Sequence, residues 1–333
     1  MIDTMDILKI GTFGCAKITP QALIIPAKKN DGVQVTAVAA RDVTKAKIFA
    51  QKHGIPKVHK DYESLIQDPE IDAVYNPLPN SLHAHWSIRA MRAGKHVLCE
   101  KPMAANAVEA TEMKTVADQT GNVVMEAFHW RYHPLAKRVI ELLKAKTIGE
   151  VSKIEASFCI PLPFRNDIRY NPELAGGALM DTGCYTVSIL RHLMGEEPNV
   201  VSARAKRSSP EIDRYMEAKL QFPSGAVGHI RCSIWGWPMV SVSAKVVGTL
   251  GSITIANPVI PHVLYHHVKV NTPTLNRTER FWGPSTYDCQ VEAFVDAVRT
   301  GSRPYTDGSD AILNMKVVDQ IYRTSGMSPR GAS

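Results

Sequence analysis

The constraint that bears hardest on this chain is an alternation. Over its first 130 residues, short apolar runs change places with stretches of helical period, and a chain that repeats strand, helix and strand in this way closes into a parallel sheet with crossover helices. Strands are predicted near 7–13, 33–40, 72–76, 95–99 and 122–127. Between them, Asp42 is placed to cap a helix that stops at Gly54, and Met113, Val116 and Ala117 stripe one face of a helix that Gly121 ends. An open sheet of this kind binds ligands beyond the carboxyl ends of its strands, where the strand order reverses. The turns after Phe13, Ala40, Asn76 and Cys99 lie at such ends.

The rhythm changes after about residue 150. One helix, 178–193, is followed by strand-like runs at 199–207, 214–222, 226–235, 240–247, 251–256 and 262–270, punctuated by Gly225, Gly248, Gly251, Pro258 and Pro261. A largely antiparallel sheet is the economical reading. Two helices, 286–299 and 308–324, then close the chain, and the Ser-Gly-Pro tail from Ser325 is expected to be mobile. The expected fold is α/β: a doubly wound parallel domain over 1–128, and an α+β domain with a large, mostly antiparallel open sheet over 129–333. A cleft between two apposed domains is the default place for a site.

Several function classes are set aside by composition. No apolar stretch reaches the roughly 20 residues that span a bilayer, and Met1–Asp6 has neither the basic start nor the apolar core of a secretion signal, so no membrane partner and a cytoplasmic location are expected. The six cysteines form no Cys-x-x-Cys pair and read as reduced, mostly buried thiols. A net charge of +7 is spread along the chain among acidic residues, which suits solubility and an anionic cofactor or substrate rather than nucleic acid. His262, His266 and His267 have no carboxylate or thiolate at matching spacing, so no metal is expected.

Four short stretches carry chemistry. Glu100-Lys101-Pro102 closes the apolar run His96–Cys99 and holds an ammonium rigidly at a strand end. Upstream, the turn Phe13-Gly14-Cys15-Ala16 after the first strand is a degenerate dinucleotide fingerprint: Gly14 fits, Ala16 and Thr19 replace the usual glycines, and Pro20 and Pro26 limit the following helix. The second strand ends at Ala40-Arg41-Asp42, with no carboxylate for a ribose 2′-hydroxyl and a guanidinium suited to a 2′-phosphate, which favours NADP over NAD. Otherwise Arg41 is a solvated turn residue beside the cap Asp42.

Downstream, Asp181 and Tyr185 lie one helical turn apart. Hydride transfer at a secondary alcohol carbon needs one group to give or take the hydroxyl proton, and Tyr185 can be that group. Tyrosine ionises at about 10, so neutral working needs about 3–4 kcal/mol of phenolate stabilisation, a scale that an ammonium such as Lys101 supplies in a partly dry cleft. Lys101 can instead be the donor, with Tyr185 orienting the substrate. The bland alternative has Tyr185 packed in the core with its hydroxyl on a backbone carbonyl and Asp181 capping the helix. Substrate contacts are expected from the loop holding Arg165, Arg169 and Tyr170, and from His129-Trp130-Arg131-Tyr132-His133 after the fifth strand.

These motifs, together with Pro77-Leu78-Pro79-Asn80-Ser81-Leu82-His83 and Gly176-Gly177-Ala178-Leu179-Met180-Asp181-Thr182-Gly183-Cys184-Tyr185, resemble the glucose-fructose oxidoreductase / inositol dehydrogenase (Gfo/Idh/MocA) family over essentially the whole chain. Within it, Ala39–Asp42 and Met125-Glu126-Ala127 look like dimeric dihydrodiol dehydrogenases, while Tyr75–Pro79 and Asp167–Tyr170 look like nucleotide-sugar ketoreductases. The resemblance implies cofactor contacts from Phe13, Gly14, Cys15, Ala16, Lys17 and Ile18, from Ala40 and Arg41, from Pro77, Leu78, Asn80 and His83, and from Glu100 and Lys101. It also implies a cis Lys101–Pro102 bond and a homodimer or homotetramer built through the C-terminal sheet. The implied activity is an NADP-dependent oxidoreductase acting on a sugar-like small molecule, with Tyr185, Lys101 and Asp181 catalytic and His129, Arg131 and Arg169 beside the substrate. A trans-dihydrodiol or aldose (xylose-type) dehydrogenase is the alternative within the family, and a non-catalytic NAD(P)-binding regulator the alternative outside it.

Overall fold

The computed structural model of the protein describes residues 7–331; the Met1–Asp6 segment considered above as a leader lies outside them. Contacts gather the described residues into two compact units, the first made of residues 7–104, Val108–Phe128 and Tyr287–Ile312, and the second of Ala105–Ala107, His129–Thr286 and residues 313–331.

In the first unit the described residues form a six-stranded parallel sheet: β1 (Leu8–Phe13), β2 (Val33–Ala39), β3 (Lys57–His59), β4 (Ala73–Asn76), β5 (His96–Cys99) and β6 (Val124–Glu126), in the order β3-β2-β1-β4-β5-β6. This is the doubly wound order, and its direction reverses between β1 and β4, so the ligand crevice of the sheet lies over the ends of those two strands. Strand β3 escapes sequence reading because three residues give no alternation to detect. Helix α1 (Val43–His53) begins where Asp42 accepts a hydrogen bond from the Lys45 amide at 3.1 Å, and ends at Gly54 in the left-handed region. After β1 the chain makes only a π-turn, Pro20–Ile24, and three α-helical residues, Ile25–Ala27, as its prolines dictate.

The second unit is built on an eight-stranded sheet: β7 (Val151–Cys159), β8 (Asn199–Ser209), β9 (Ile212–Gln221), β10 (Val227–Ser233), β11 (Ser241–Gly248), β12 (Gly251–Ala256), β13 (His267–Asn271) and β14 (Asn276–Glu279). Its order is β14-β13-β12-β11-β7-β10-β9-β8, antiparallel except where β7 runs parallel to β10. The α/β plus mostly antiparallel α+β architecture expected above is therefore present. Two strands of this unit were not anticipated. Central β7 alternates buried Ile154 and Ala156 with charged Lys153 and Glu155, a weak apolar signal, and β14 is an exposed polar edge. The run at 262–270 is a strand only from His267, because Ile260 turns the chain by accepting from the Val263 amide.

Helix α2 (Cys184–Met194) lies against this sheet, where Gly228 of β10 gives way to it: a Cβ there would sit 2.9 Å from Leu190. The tail after helix α3 (Gly308–Thr324) corrects the expectation of a mobile end. Arg330 is only 6% exposed; its guanidinium donates to Asp213 at 2.7 Å and to the Gly176 carbonyl at 2.8 Å. A charge buried with its partner holds the chain in place where composition suggested looseness.

Candidate active site

In the first unit the candidate cofactor residues lie at and after the carboxyl ends of β1, β2, β4 and β5. Gly14 has φ +69°, a conformation that any side chain would strain, and its amide donates to the Ala39 carbonyl at 2.6 Å, closing the turn after β1 onto the end of β2. Cys15, Ala16 and Ile18 are half-buried and Lys17 is exposed. Burial, and then Asp42, push the Cys15 thiol up, so it has no thiolate character. Phe13 is enclosed, its ring 5.1 Å from Tyr62 and 5.8 Å from Trp86, so its side chain supports the turn from below. Ala40 is buried and Arg41 exposed, which leaves a guanidinium and no carboxylate beside the end of β2. A glycine-shaped turn with a cation beside it suits a phosphorylated dinucleotide.

The ends of β4 and β5 are tied together by His83. Fully buried at the start of a helix, its Nδ1 lies 2.8 Å from the Pro102 carbonyl and its Nε2 lies 2.6 Å from the Leu78 carbonyl. Burial holds this imidazole at about 4, against the pull of both carbonyls, so it is neutral and donates to one of them at a time. His83 thus clamps the Pro77-Leu78 turn against the Lys101 segment from inside the unit. Asn76 braces the same turn: its amide donates to the His83 carbonyl and to Ser87 Oγ, and its Oδ1 accepts from the Leu78 amide. The Lys101–Pro102 bond is cis, and the half-buried Lys101 follows Glu100, whose Oε1 accepts from the Tyr75 hydroxyl at 2.7 Å. Glu126, which sequence reading did not weigh for the site, accepts from the Met103 amide at 2.8 Å and fixes the chain just beyond. Pro77 and Asn80 are half-buried beside this turn, while Leu78 is buried within it.

In the second unit the helix expected over 178–193 opens as a π-turn, Leu179–Gly183, before α2. Gly183 explains how that wide turn lies on β10, since a Cβ there would come within 2.7 Å of Cys232 Sγ. Tyr185, in the first turn of α2, is buried; its hydroxyl lies 3.1 Å from His129 Nε2, and its ring packs on Phe158 of β7 at 5.4 Å. Asp181 accepts from Arg169 Nε at 2.8 Å, and Arg169 Nη1 reaches Asp167 at 3.1 Å. The Asp181 carboxylate, first, and then Asp167 hold the Arg169 guanidinium still more firmly protonated. His129 is enclosed behind Tyr185, with Nδ1 2.8 Å from Thr286 Oγ1, and Arg131 is half-buried two residues on. Tyr170 donates to the Leu162 carbonyl at 2.7 Å and shapes its own loop. His266 accepts from the Phe281 amide at 2.9 Å, and His262 Nδ1 accepts from the Thr286 amide at 3.3 Å.

The footing of this helix lay beyond sequence reading. Asp213, fully buried, accepts from the Leu179 amide at 2.7 Å, from the Tyr322 hydroxyl at 2.9 Å and from Arg330. Gly177, at φ +129°, leaves the room: a Cβ there would stand 2.2 Å from Asp213 Oδ1. The Gly-Gly pair is therefore the print of a side-chain cluster assembled from distant parts of the chain, Asp213, Tyr322 and Arg330.

Two family descriptions match the chain: an oxidoreductase family with an NAD-binding Rossmann fold over residues 8–128, and a GFO/IDH/MocA C-terminal domain over residues 136–254. The chain is 35% identical over 321 residues to D-xylose 1-dehydrogenase (NADP(+)) 2 of Haloferax volcanii, covering 96% of this chain and 97% of that protein. It is 36% identical over 223 residues to trans-1,2-dihydrobenzene-1,2-diol dehydrogenase of Xenopus tropicalis, covering 67% of each. A solved 3-ketoreductase from Actinomadura kijaniata, in complex with NADP and TDP-benzene, superposes with a TM-score of 0.88 at 28% identity, over 96% of this chain and 98% of that one. The class so defined is that of nicotinamide-dependent oxidoreductases. The chain belongs to the Gfo/Idh/MocA family.

Proposed function

We propose that the protein moves hydride between NADP and a secondary alcohol or ketone of a sugar or sugar derivative, with Tyr185 as the acid/base and Lys101 assisting it. The observation that carries this reading is the setting of Tyr185: its hydroxyl lies 3.1 Å from a buried imidazole and one turn from an Arg169-held carboxylate. A buried phenol with a proton acceptor behind it is equipped to exchange a proton. The bound nicotinamide supplies or accepts the hydride. Lys101, set at the end of β5 by the His83 clamp, stabilises negative charge on the reacting oxygen. Asp181, fixed by Arg169, orients a substrate hydroxyl, and Arg131 and Arg169 flank the substrate. Gly14–Ile18, Ala40, Pro77, Leu78, Asn80 and Glu100 shape the dinucleotide surface, and Arg41 pairs with the 2′-phosphate.

The names of the relatives support NADP and polyhydroxylated or diol substrates, and they also favour a second reading in which the substrate is an aldose such as D-xylose or a trans-dihydrodiol. Retention of Lys101 and Tyr185 argues against a non-catalytic regulator. The protein is further proposed to act in the cytoplasm and to assemble as a homodimer or homotetramer through the open sheet of the second unit, where charged pairs such as Arg204–Glu217 line the strands.

The test is a screen of NADP reduction and NADPH oxidation against D-xylose and other aldoses, keto-sugars, nucleotide-sugars and trans-dihydrodiols, repeated with NAD and NADH. Tyr185→Phe and Lys101→Met are expected to bind NADPH normally and to lose about 10²–10⁴ in kcat, the scale of a general acid–base group. Arg41→Ala is expected to raise the KM for NADP about tenfold or more and leave that for NAD unchanged. Normal turnover in both active-site variants sinks the catalytic assignment; equal efficiency of wild-type protein with NADP and NAD sinks the role of Arg41.

A further inference from the structure

We infer that Tyr185 exchanges its proton with bulk water through a side-chain relay, Tyr185–His129–Thr286–His262. The inference rests on the assignment of Tyr185 as acid/base and concerns a step the comparisons leave open: how a buried phenol is reset between turnovers. Tyr185, His129 and Thr286 are all buried, with Thr286 wholly so, whereas His262 is exposed. The four groups make an unbroken line. Tyr185 Oη lies 3.1 Å from His129 Nε2, His129 Nδ1 lies 2.8 Å from Thr286 Oγ1, and Thr286 Oγ1 lies 3.3 Å from His262 Nδ1.

One further contact gives the line a direction. The Thr286 backbone N–H also points at His262 Nδ1, at 3.3 Å, and an amide only donates. His262 Nδ1 is therefore the acceptor and its ring proton sits on Nε2. Thr286 Oγ1 then donates its hydroxyl proton to His262 and accepts from His129 Nδ1–H, which leaves His129 Nε2 bare to accept from Tyr185. With neutral imidazoles, this assignment satisfies all four contacts.

In alcohol oxidation the substrate proton arrives at Tyr185. The Oη–H bond breaks as His129 Nε2–H forms, His129 Nδ1–H passes to Thr286 Oγ1, and the former Thr286 hydroxyl proton passes to His262 Nδ1. His262 then releases its Nε2 proton to water or buffer. One proton leaves and no electron moves. Ketone reduction runs the same transfers backwards from the tautomers this leaves, His129 protonated on Nε2 and His262 on Nδ1, and repeated turnover in one direction requires both rings to regain the resting tautomers first. The neighbouring His133, held at about 4 by burial and then by His262 and His266, stays neutral and adds no charge beside the outlet.

Two measurements test the relay. Nitrogen-15 NMR of histidine-labelled protein, assigned with His129→Gln and His262→Gln, is expected to show His129 as the Nδ1–H tautomer and His262 as the Nε2–H tautomer. In weak buffer, with the fastest substrate of the screen, His262→Gln and the isosteric Thr286→Val are expected to lose on the order of tenfold in kcat with KM and NADPH binding unchanged, short of the 10²–10⁴ of a direct acid–base group. Added imidazole is expected to restore the His262→Gln rate. His129 protonated on Nε2, wild-type kcat in both variants, or a loss that imidazole leaves untouched overturns the relay. Because His262 is exposed, its variant tests the relay even where Thr286→Val fails to fold. Tyr185→Phe separates the two levels: an active Tyr185→Phe removes the acid/base assignment itself, whereas an inactive one beside wild-type relay variants removes the relay alone.

Discussion

The two units build their shares of the chemistry by different means. In the first, the candidate dinucleotide surface is backbone: a glycine at φ +69°, a strand end closed by an amide, and a turn clamped by His83 to the segment beyond β5. The bonds that set these features span shorter stretches of chain, from Gly14 to Ala39 and from His83 to Leu78 and Pro102. In the second, Tyr185 stands on side chains gathered from afar, His129 and Thr286 at its hydroxyl and Asp213, Tyr322 and Arg330 under its helix. A surface built locally tolerates damage locally; one built from distant side chains transmits it. Perturbing the first unit should therefore change cofactor binding, and perturbing the second should change stability and kcat together.

The sharpest way to break this contrast is Arg330→Met, or truncation of the chain after Pro329, which sequence alone marks as harmless. Burial already pushes the Asp213 carboxyl up against the pull of Arg330, so removing the guanidinium strands a buried carboxylate. A loss of about 3–5 kcal/mol is expected in urea unfolding, with kcat falling because Asp213 also holds the Leu179 amide at the head of the Tyr185 helix. Stability within about 0.5 kcal/mol of wild type contradicts the arrangement.

Legibility follows the same division. The strand alternation, the Asp42 cap, the Gly54 stop and the Lys101 strand end were readable because helix periods, caps and turns are short-range patterns. Lys101 and Tyr185 stood out through their motifs. Asp213, Thr286 and Arg330 did not, since nothing within ten residues of any of them tells what it will meet, and β7 was lost because Lys153, Glu155 and Ser157 occupy its other face and leave only a short apolar signal in Ile154 and Ala156. Gly177 was the one available signal: a glycine beside a catalytic-looking helix asks what side chain fills its place.

Acid provides a second, somewhat smaller test. Burial first of all lowers His83 to about 4 in the first unit, and His133 to about 4 and His192 to about 3 in the second. A histidine whose folded pKa is depressed contributes stability that is fully present above its unfolded value of about 6.5 and is lost as pH falls from there through the folded value. Each should remove on the order of 2 kcal/mol by pH 5. With two such groups against one, the second unit should loosen first, and His192→Phe should flatten the slope of Tm against pH between 6.5 and 5; an unchanged slope means His192 takes up its proton while folded. Gly14→Ala should come next, at about 1–2 kcal/mol of left-handed strain. It is expected to raise the KM for NADP while leaving kcat intact, and a fall in kcat at constant KM would erase the distinction between the units.

The smallest effect belongs to a pair at the margin of the second unit. Arg138 donates from Nε and Nη2 to the two oxygens of Glu279 at 2.9 and 3.1 Å, joining the helix Pro134–Lys144 to the edge strand β14. The Arg138 hydrogen bonds, as the largest cause, hold the Glu279 carboxyl below its ordinary range. A carboxylate with a depressed folded pKa stabilises above its unfolded value and loses that contribution as pH falls through the folded one. Because Arg138 is about a third exposed, solvent screening limits the pair to about 1 kcal/mol. Glu279→Gln should thus lower Tm by about 2–4 °C at pH 7, and the gap to wild type should close below the ordinary carboxylate range, where wild type is protonated too. The kcat should not move, since the pair touches neither Tyr185 nor Asp213. A gap that persists in acid would mean that Glu279 acts through packing rather than charge, and a fall in kcat would show that even the edge of this sheet is coupled to turnover.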